Sequence, residues 1–281
     1  MRSIIDIIFK RAIIFCPIFS ILVAFSSNVG VINYPNEHSI HLDQFEFKLR
    51  IKIPGVNDNL SGITYSPHSD TLFAIVNNPE IIVEISKNGK VQRTIMLDGF
   101  EDTEGISHVD GNLFAVVEER DRQITFVDLN SRTHRIDHHA CPTVSLKPIF
   151  KGPPNRGLEG IAWTGQSKFI LALEYQPDKI YTLALSPHRI KPITLSHQRL
   201  MRDIAGLHVL ENGNILVLSD ESKLLMEYSF EGKPLSSKSF NQHPSSLSEW
   251  IKQPEGVAVS NGNRLYIVSE PNELFIFQKE T

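Results

Sequence analysis

LSGITY (60–65) returns four times along the chain in altered form, as TEGISH (103–108), LEGIAW (158–163), IAGLHV (204–209) and PEGVAV (254–259). The shared glycines, Gly62, Gly105, Gly160, Gly206 and Gly256, are spaced by 43, 55, 46 and 50 residues, the length of a propeller blade. After a polar turn each segment leads into a second apolar run: LFAIVN (72–77), LFAVVE (113–118), FILALE (169–174), ILVLSD (215–220) and LYIVSE (265–270). From each glycine to the polar residue closing the second run is 15, 13, 14, 14 and 14 positions, which predicts five repeated hairpins.

A third run follows each pair, at 81–86, 124–129, 180–185, 224–230 and 274–278. More polar stretches at 91–97, 132–138, 190–195 and 234–240 suit a fourth, edge strand. The fifth repeat has no residues left for one, whereas FEFKLRIKI (45–53) alternates apolar with polar and has no other home. The expected fold is therefore all-β, a five-bladed β-propeller closed by an N-terminal strand. A β-sandwich with chance similarity between strands is the competing reading, and five matched pairs at near-constant offset argue against it.

Radial repetition has a chemical consequence. In an antiparallel hairpin, the start of the first strand and the end of the second lie at the same end. The residues before the glycines are Ser61, Glu104, Glu159, Ala205 and Glu255, and those closing the second runs are Asn77, Glu118, Glu174, Asp220 and Glu270. Seven of these ten are carboxylates, namely Glu104, Glu118, Glu159, Glu174, Asp220, Glu255 and Glu270, gathered at one mouth of the channel with Asp102 and Asp203 nearby. Like charges raise one another's pKa, so such a rim calls for a counter-charge. Oxygen ligands in flexible array point to Ca²⁺, and the repeat offers no His or Cys there for zinc or copper. The alternative is that the acids pair with Arg120, Arg122, Arg156 and Arg202 in the same loops. The repeated glycine also has a purely steric reading, as relief where five inner strands crowd the axis.

The remaining features bound location and chemistry. An uncharged segment AIIFCPIFSILVAF (12–25) follows Lys10 and Arg11 and reads as an export signal or membrane anchor over 1–28. A linker at 29–44 then precedes the propeller at 45–281. The preceding positive charges keep the N-terminus cytoplasmic and send everything after Asn28 across the inner membrane to the periplasm. Cleavage after Ser26 and retention as an anchor both remain open. Cys16 lies inside the apolar segment, which leaves Cys141 a lone thiol. A net charge of -4 without a basic stripe excludes a nucleic-acid partner and leaves a monomeric propeller with an unknown ligand or protein partner. His138, His139 and Cys141 fall in an irregular inter-blade stretch. His108 and His208 lie on inner strands, where His108 is a candidate general base. No nucleophile–base motif of the hydrolase or phosphate-loop kind is present.

GFEDTEGI (99–106), LFAVVEER (113–120), LSGITYSPHSDTLFAIVNNP (60–79) and the N-terminal apolar segment together resemble the SdiA-regulated, or YjiK-like, family. The resemblance spans roughly 45–277 and is loosest in the fourth repeat, where Ala205 replaces an acid. It implies a calcium-binding five-bladed propeller distantly related to NHL-repeat proteins. The pattern is similar as well to phytase-like and gluconolactonase-type propellers. Two functions follow as expectations: a calcium-stabilised binding module, and a metal-dependent hydrolase acting on phosphate or lactone esters.

Overall fold

In the computed structural model the described residues are 39–153, 157–173, 179–186, 188–196, 200–240 and 251–280. The segment 1–28 and Glu174 therefore lie outside them. Strand β1 (Phe45–Lys52) opens the chain of strands. The first blade follows with β2 (Leu60–Ser66), β3 (Thr71–Val76), β4 (Ile81–Ser86) and β5 (Val91–Asp98). Next come β6 (Thr103–Asp110), β7 (Leu113–Glu118), β8 (Gln123–Asp128), β9 (Arg135–Asp137) and β10 (Thr143–Ser145). The third blade is β11 (Leu158–Trp163), β12 (Lys168–Leu173), β13 (Lys179–Leu185) and β14 (His188–Ile193). The fourth is β15 (Gly206–Val209), β16 (Ile215–Ser219), β17 (Leu224–Tyr228) and β18 (Pro234–Ser239). The fifth holds β19 (Gln253–Ser260), β20 (Arg264–Glu270) and β21 (Glu273–Lys279), and β1 completes it by pairing antiparallel with β21.

The result is a five-bladed propeller. The first strands of the blades, β2, β6, β11, β15 and β19, neighbour one another in a closed ring around the axis. Successive side chains of a strand point to opposite faces, so each blade buries one apolar set against the blade before it and one against the blade after. Five apolar clusters result among the described residues, one at each blade interface. Phe73 and Ile82 meet Phe114 and Val127 between the first two blades, for example, and Ala258 and Tyr266 meet Ile63 and Val83 between the fifth and the first.

The repeated glycines serve the approach of the inner strands. A Cβ on Gly62 would lie 2.8 Å from the carbonyl oxygen of Glu104, and one on Gly256 would lie 2.8 Å from the backbone nitrogen of Ile63. Those obstacles are backbone, which cannot swing aside, so a side chain at either position would push two blades apart.

The edge of the second blade departs from expectation. The stretch 132–138 does not pair with β8. Its strand β9 crosses back and pairs in parallel with β5 of the first blade, and β10 takes the outer place beside β8. Charge placement explains the exchange. Arg93, held by Glu84, donates from Nη1 to the carbonyls of Asn130 and Thr133 at 2.6 and 2.7 Å, and Arg135 donates to Asp98 at 2.6 Å. A guanidinium that satisfies a carboxylate and two carbonyls at once fixes the crossing segment on the first blade.

Contacts of the propeller begin before β1. Glu227, fully buried on β17, accepts from Ser39 Oγ at 2.6 Å, from the Ile40 backbone nitrogen at 3.0 Å, from Asn214 Nδ2 at 2.8 Å and from Ser236 Oγ at 2.7 Å. Leu42 N donates to Ser236 Oγ at 3.1 Å, so the residues leading into β1 are pinned across the fourth blade before they close the fifth. Glu227→Ala leaves several buried donors without an acceptor. It should lower the unfolding free energy by about 2–4 kcal/mol, read as a reduced denaturant midpoint.

Candidate metal centre

The residue before each repeated glycine is set apart by backbone geometry. The hairpin ladder slips between Thr103 and Gly105, between Leu158 and Gly160, and between Pro254 and Gly256. Glu104, Glu159 and Glu255 are thus the extra residues of β-bulges, released from the ladder and re-aimed by the local bend. The first blade has the same irregularity between Leu60 and Ile63, where Ser61 and Gly62 stand.

Register decides which residues of the second strands join them. Gly105 pairs with Val117, Gly160 with Ala172, Gly206 with Leu218 and Gly256 with Val268. Two residues beyond these partners stand Glu119, Asp220 and Glu270, and the same count in the third blade reaches Glu174, which lies outside the described residues. In the first blade, where the bulge is longer, the equivalent is Asn77. Glu118 is one residue out of step. It faces the interface between the first and second blades and is almost completely buried. Its Oε1 accepts from Thr125 Oγ1 at 2.6 Å and Gln123 Nε2 at 3.0 Å, and His138 Nε2 lies 3.1 Å away. The signal for Glu119 was in the sequence: a constant step of 14 from the glycine reaches it, whereas Glu118 is at 13.

Asp102, Glu104 and Glu119 bring one carboxylate oxygen each within 4.8 Å of one another. No other group of three such ligands occurs among the described residues. Asp102 adopts the left-handed backbone (φ 58°) immediately before β6, and its carbonyl accepts from the Glu119 nitrogen at 2.8 Å, which ties the two acids together. Asn77 Nδ2 donates to Glu104 Oε1 at 2.7 Å and to Asp102 Oδ1 at 3.2 Å. Gly157 N donates to Glu119 Oε1 at 2.8 Å. Asp102 Oδ2 is buried and accepts no hydrogen bond. The nearest cation is the Arg120 guanidinium, whose Nε is 3.4 Å away on a side chain that is 59% exposed.

Burial pushes the Glu104 carboxyl up to about 7, helped by the charges of Asp102 and Glu119 and opposed by hydrogen bonds from Ser61 and Asn77. Glu255 is pushed up to about 8, again by burial first and then by Asp220, Glu270, Glu104 and Asp203. Glu270 moves upward for the same reasons, with Asp58 and Asp220 as its charged neighbours. Glu104, Asp220 and Glu270 all lie near enough to Glu255 for their charges to raise its carboxyl pKa. Asp220 is engaged by Lys223, Glu270 accepts from Gln253 at 3.1 Å, and Asp203 accepts from Ser219 and from the backbone of Asp220 and Glu221. Glu159 is partly buried at its bulge on β11.

Of the arginines in these loops, Arg120 reaches the rim, at Asp102. Arg122 is buried and donates to the Pro153 carbonyl, and Arg202 is exposed. Arg156 lies outside the described residues. His108 Nε2 is 2.9 Å from the Gly111 carbonyl and the ring packs edge-on against Phe114, at the far end of its strand from the acids. Burial lowers the pKa of His208 to about 4, so that imidazole is neutral at physiological pH.

A family model described as SdiA-regulated matches residues 37–278. Among solved structures, a chain of a nidogen/laminin complex aligns at 11% identity and a TM-score of 0.51, over 76% of this chain and 73% of that one. Luciferin-regenerating enzyme aligns at 13% identity and a TM-score of 0.52, over 82% of this chain and 95% of that one. At such identities the two likenesses are of fold.

Raised carboxyl pKa values make a statement about stability. A carboxyl with a folded pKa above its unfolded one contributes stability fully below about pH 4.5, and that contribution is lost as pH rises through about 7 for Glu104 and about 8 for Glu255. In chelator, the melting temperature should therefore fall between about pH 4.5 and 8, and Glu255→Gln should flatten that fall. Differential scanning fluorimetry across the pH range reads both.

Proposed function

The chain belongs to the SdiA-regulated family, and from that premise we propose that it is an exported, calcium-binding propeller whose acidic mouth binds a ligand or protein partner. The observation that carries this reading is the buried Oδ2 of Asp102, which accepts no hydrogen bond and has only the exposed Arg120 side chain at 3.4 Å, inside a group of three converging carboxylates. At an effective dielectric near 20, unit charges 4.8 Å apart repel by roughly 3 kcal/mol per pair. Glu104 relieves that repulsion by holding its proton to about pH 7, and a divalent cation would relieve it more fully. The donors are all hard oxygens, which suits Ca²⁺.

Asp102, Glu104 and Glu119 are the residues that would hold the ion. Bound there, it would supply the missing positive charge and polarise an oxygen of any ligand brought to the mouth. The protein's own groups do the rest. Asn77 spaces Asp102 from Glu104, Gly157 orients Glu119, and the bulge keeps Glu104 turned out of the ladder. Calcium binding should displace the Glu104 proton, so affinity should rise with pH through neutrality. Millimolar Ca²⁺ should raise the melting temperature by several degrees over chelator, and Asp102→Asn should weaken binding at least about tenfold by calorimetry. Equal melting temperatures in Ca²⁺ and EDTA would refute the metal site.

Glu255 supports a second reading. A mouth carboxyl protonated near neutrality is suited to general acid–base work, as a metal-dependent hydrolase of phosphate or lactone esters requires. The shared fold of luciferin-regenerating enzyme is compatible with it. Turnover of an ester, lactone or phosphomonoester by the calcium-loaded protein, abolished in Glu255→Gln, would favour the hydrolase over the binding module.

The same proposal puts the propeller in the periplasm, with 1–28 as signal or inner-membrane anchor. Among the described residues no helix is long and apolar enough to cross a membrane, and 1–28 lies outside them. The charge order around Lys10 and Arg11 is what supports export. Alkaline phosphatase fused after Thr281 should be active in cells, and loss of that activity on replacing Ile21 and Leu22 with arginine would confirm dependence on the segment.

A further inference from the structure

Glu118 stands beside the proposed metal centre without belonging to it, and its hydrogen bonds show what a buried carboxylate does there. Oε1 collects Thr125 Oγ1 at 2.6 Å, Gln123 Nε2 at 3.0 Å and His138 Nε2 at 3.1 Å. Oε2 is left for one donor, the backbone nitrogen of Glu101 at 3.3 Å. Glu101 is the residue before Asp102, in the short turn 99–102 that carries the chain onto β6. Phe100, also in that turn, is buried and packs edge-on against His138 with ring centroids 4.8 Å apart. Both central residues of the turn are thus gripped from the interface between the first two blades, and the grip on Glu101 is a charge-assisted bond.

We propose that Glu118 is the positioning residue of the calcium site, holding the Glu101–Asp102 turn through its Oε2 so that Asp102 and Glu104 present their oxygens to Glu119. This rests on the calcium reading above. Three features make the link mechanical. Asp102 occupies a left-handed conformation that a non-glycine residue keeps only when its surroundings hold it there. Glu119 follows Glu118 directly, so the strand end that anchors the turn delivers the third ligand as well. The Glu119 nitrogen then bonds back to the Asp102 carbonyl at 2.8 Å, which closes a small loop of contacts around the site. His138 brings in the crossing segment next to β9, so the strap that joins the first two blades also braces the metal centre.

The test is calcium affinity in variants that leave Asp102, Glu104 and Glu119 unchanged. Glu118→Gln should weaken Ca²⁺ binding about tenfold, since outer-shell substitutions typically cost ten- to a hundredfold in metal affinity. The milder Thr125→Val, which removes the closest donor to Glu118 at nearly constant volume, should weaken it about threefold and keeps the test open if the first variant folds poorly. Glu227→Gln is the control. It disturbs another buried carboxylate, held by Ser39, Asn214 and Ser236 on the fourth blade, and should lower the melting temperature yet leave calcium affinity within about twofold. Isothermal titration of the whole protein with Ca²⁺ supplies the affinities. Unchanged affinity in Glu118→Gln and Thr125→Val overturns the positioning role and leaves the calcium site standing, as does an equal loss in Glu227→Gln. Failure of the unsubstituted protein to bind Ca²⁺ overturns both.

Discussion

The close approach of backbone to backbone at the repeated glycines is the constraint on which the rest of the molecule depends. Five inner strands converge on one axis, and at Gly62 and Gly256 the space a Cβ would occupy is already taken by the next blade's main chain. With no side chains at these two positions the inner strands meet there main chain to main chain, and the apolar packing that stabilises the ring lies in the five interface clusters. Stability and site are thereby separated in space. The clusters hold the blades, and the axis is free to carry chemistry that would be costly in a core.

The bulges ahead of Gly105, Gly160 and Gly256 follow from the same crowding. A strand that must bend sharply toward the axis gains an extra residue, and that residue leaves the ladder with its side chain turned to the mouth. Where it is glutamate, five-fold repetition concentrates negative charge. The protein answers this differently around the ring. Lys223 engages Asp220, Gln253 engages Glu270, and the Asp203 carboxylate is saturated by donors. Only at Asp102, which Arg120 approaches at 3.4 Å, does a buried carboxylate oxygen stay without a hydrogen bond among the described residues, so the acidic ring is uneven.

The blade edges show how repeats are adapted to their neighbours. The fifth blade borrows β1, the fourth is crossed by the residues leading into β1 through Glu227, and the first is extended by β9 from the connection between β8 and β10. The last two of these use a buried charge, Glu227 and the Glu84–Arg93 pair respectively, to fix the added segment. Buried charges with full complements of partners specify a single arrangement, because any slip leaves them unpaired.

Blade number, hairpin pairing and closure by β1 were determined by the sequence alone, because each depends on short-range alternation and on one residue type repeated at nearly constant spacing. The edge of the second blade was not legible. Its strand β9 is placed by Arg93 and Arg135 reaching partners nearly 40 residues away, and strand propensity says nothing about such partners. For the site, the sequence picked out the acids before the glycines, and the expectation of a hard cation came from their oxygen donors. Only the tertiary structure decided that Glu119 and Asp102 join Glu104 while Glu118 turns into the blade interface. The reason is that a one-residue shift in register sends a side chain to the opposite face of its sheet, and the bulges that set the register are made by contact between strands.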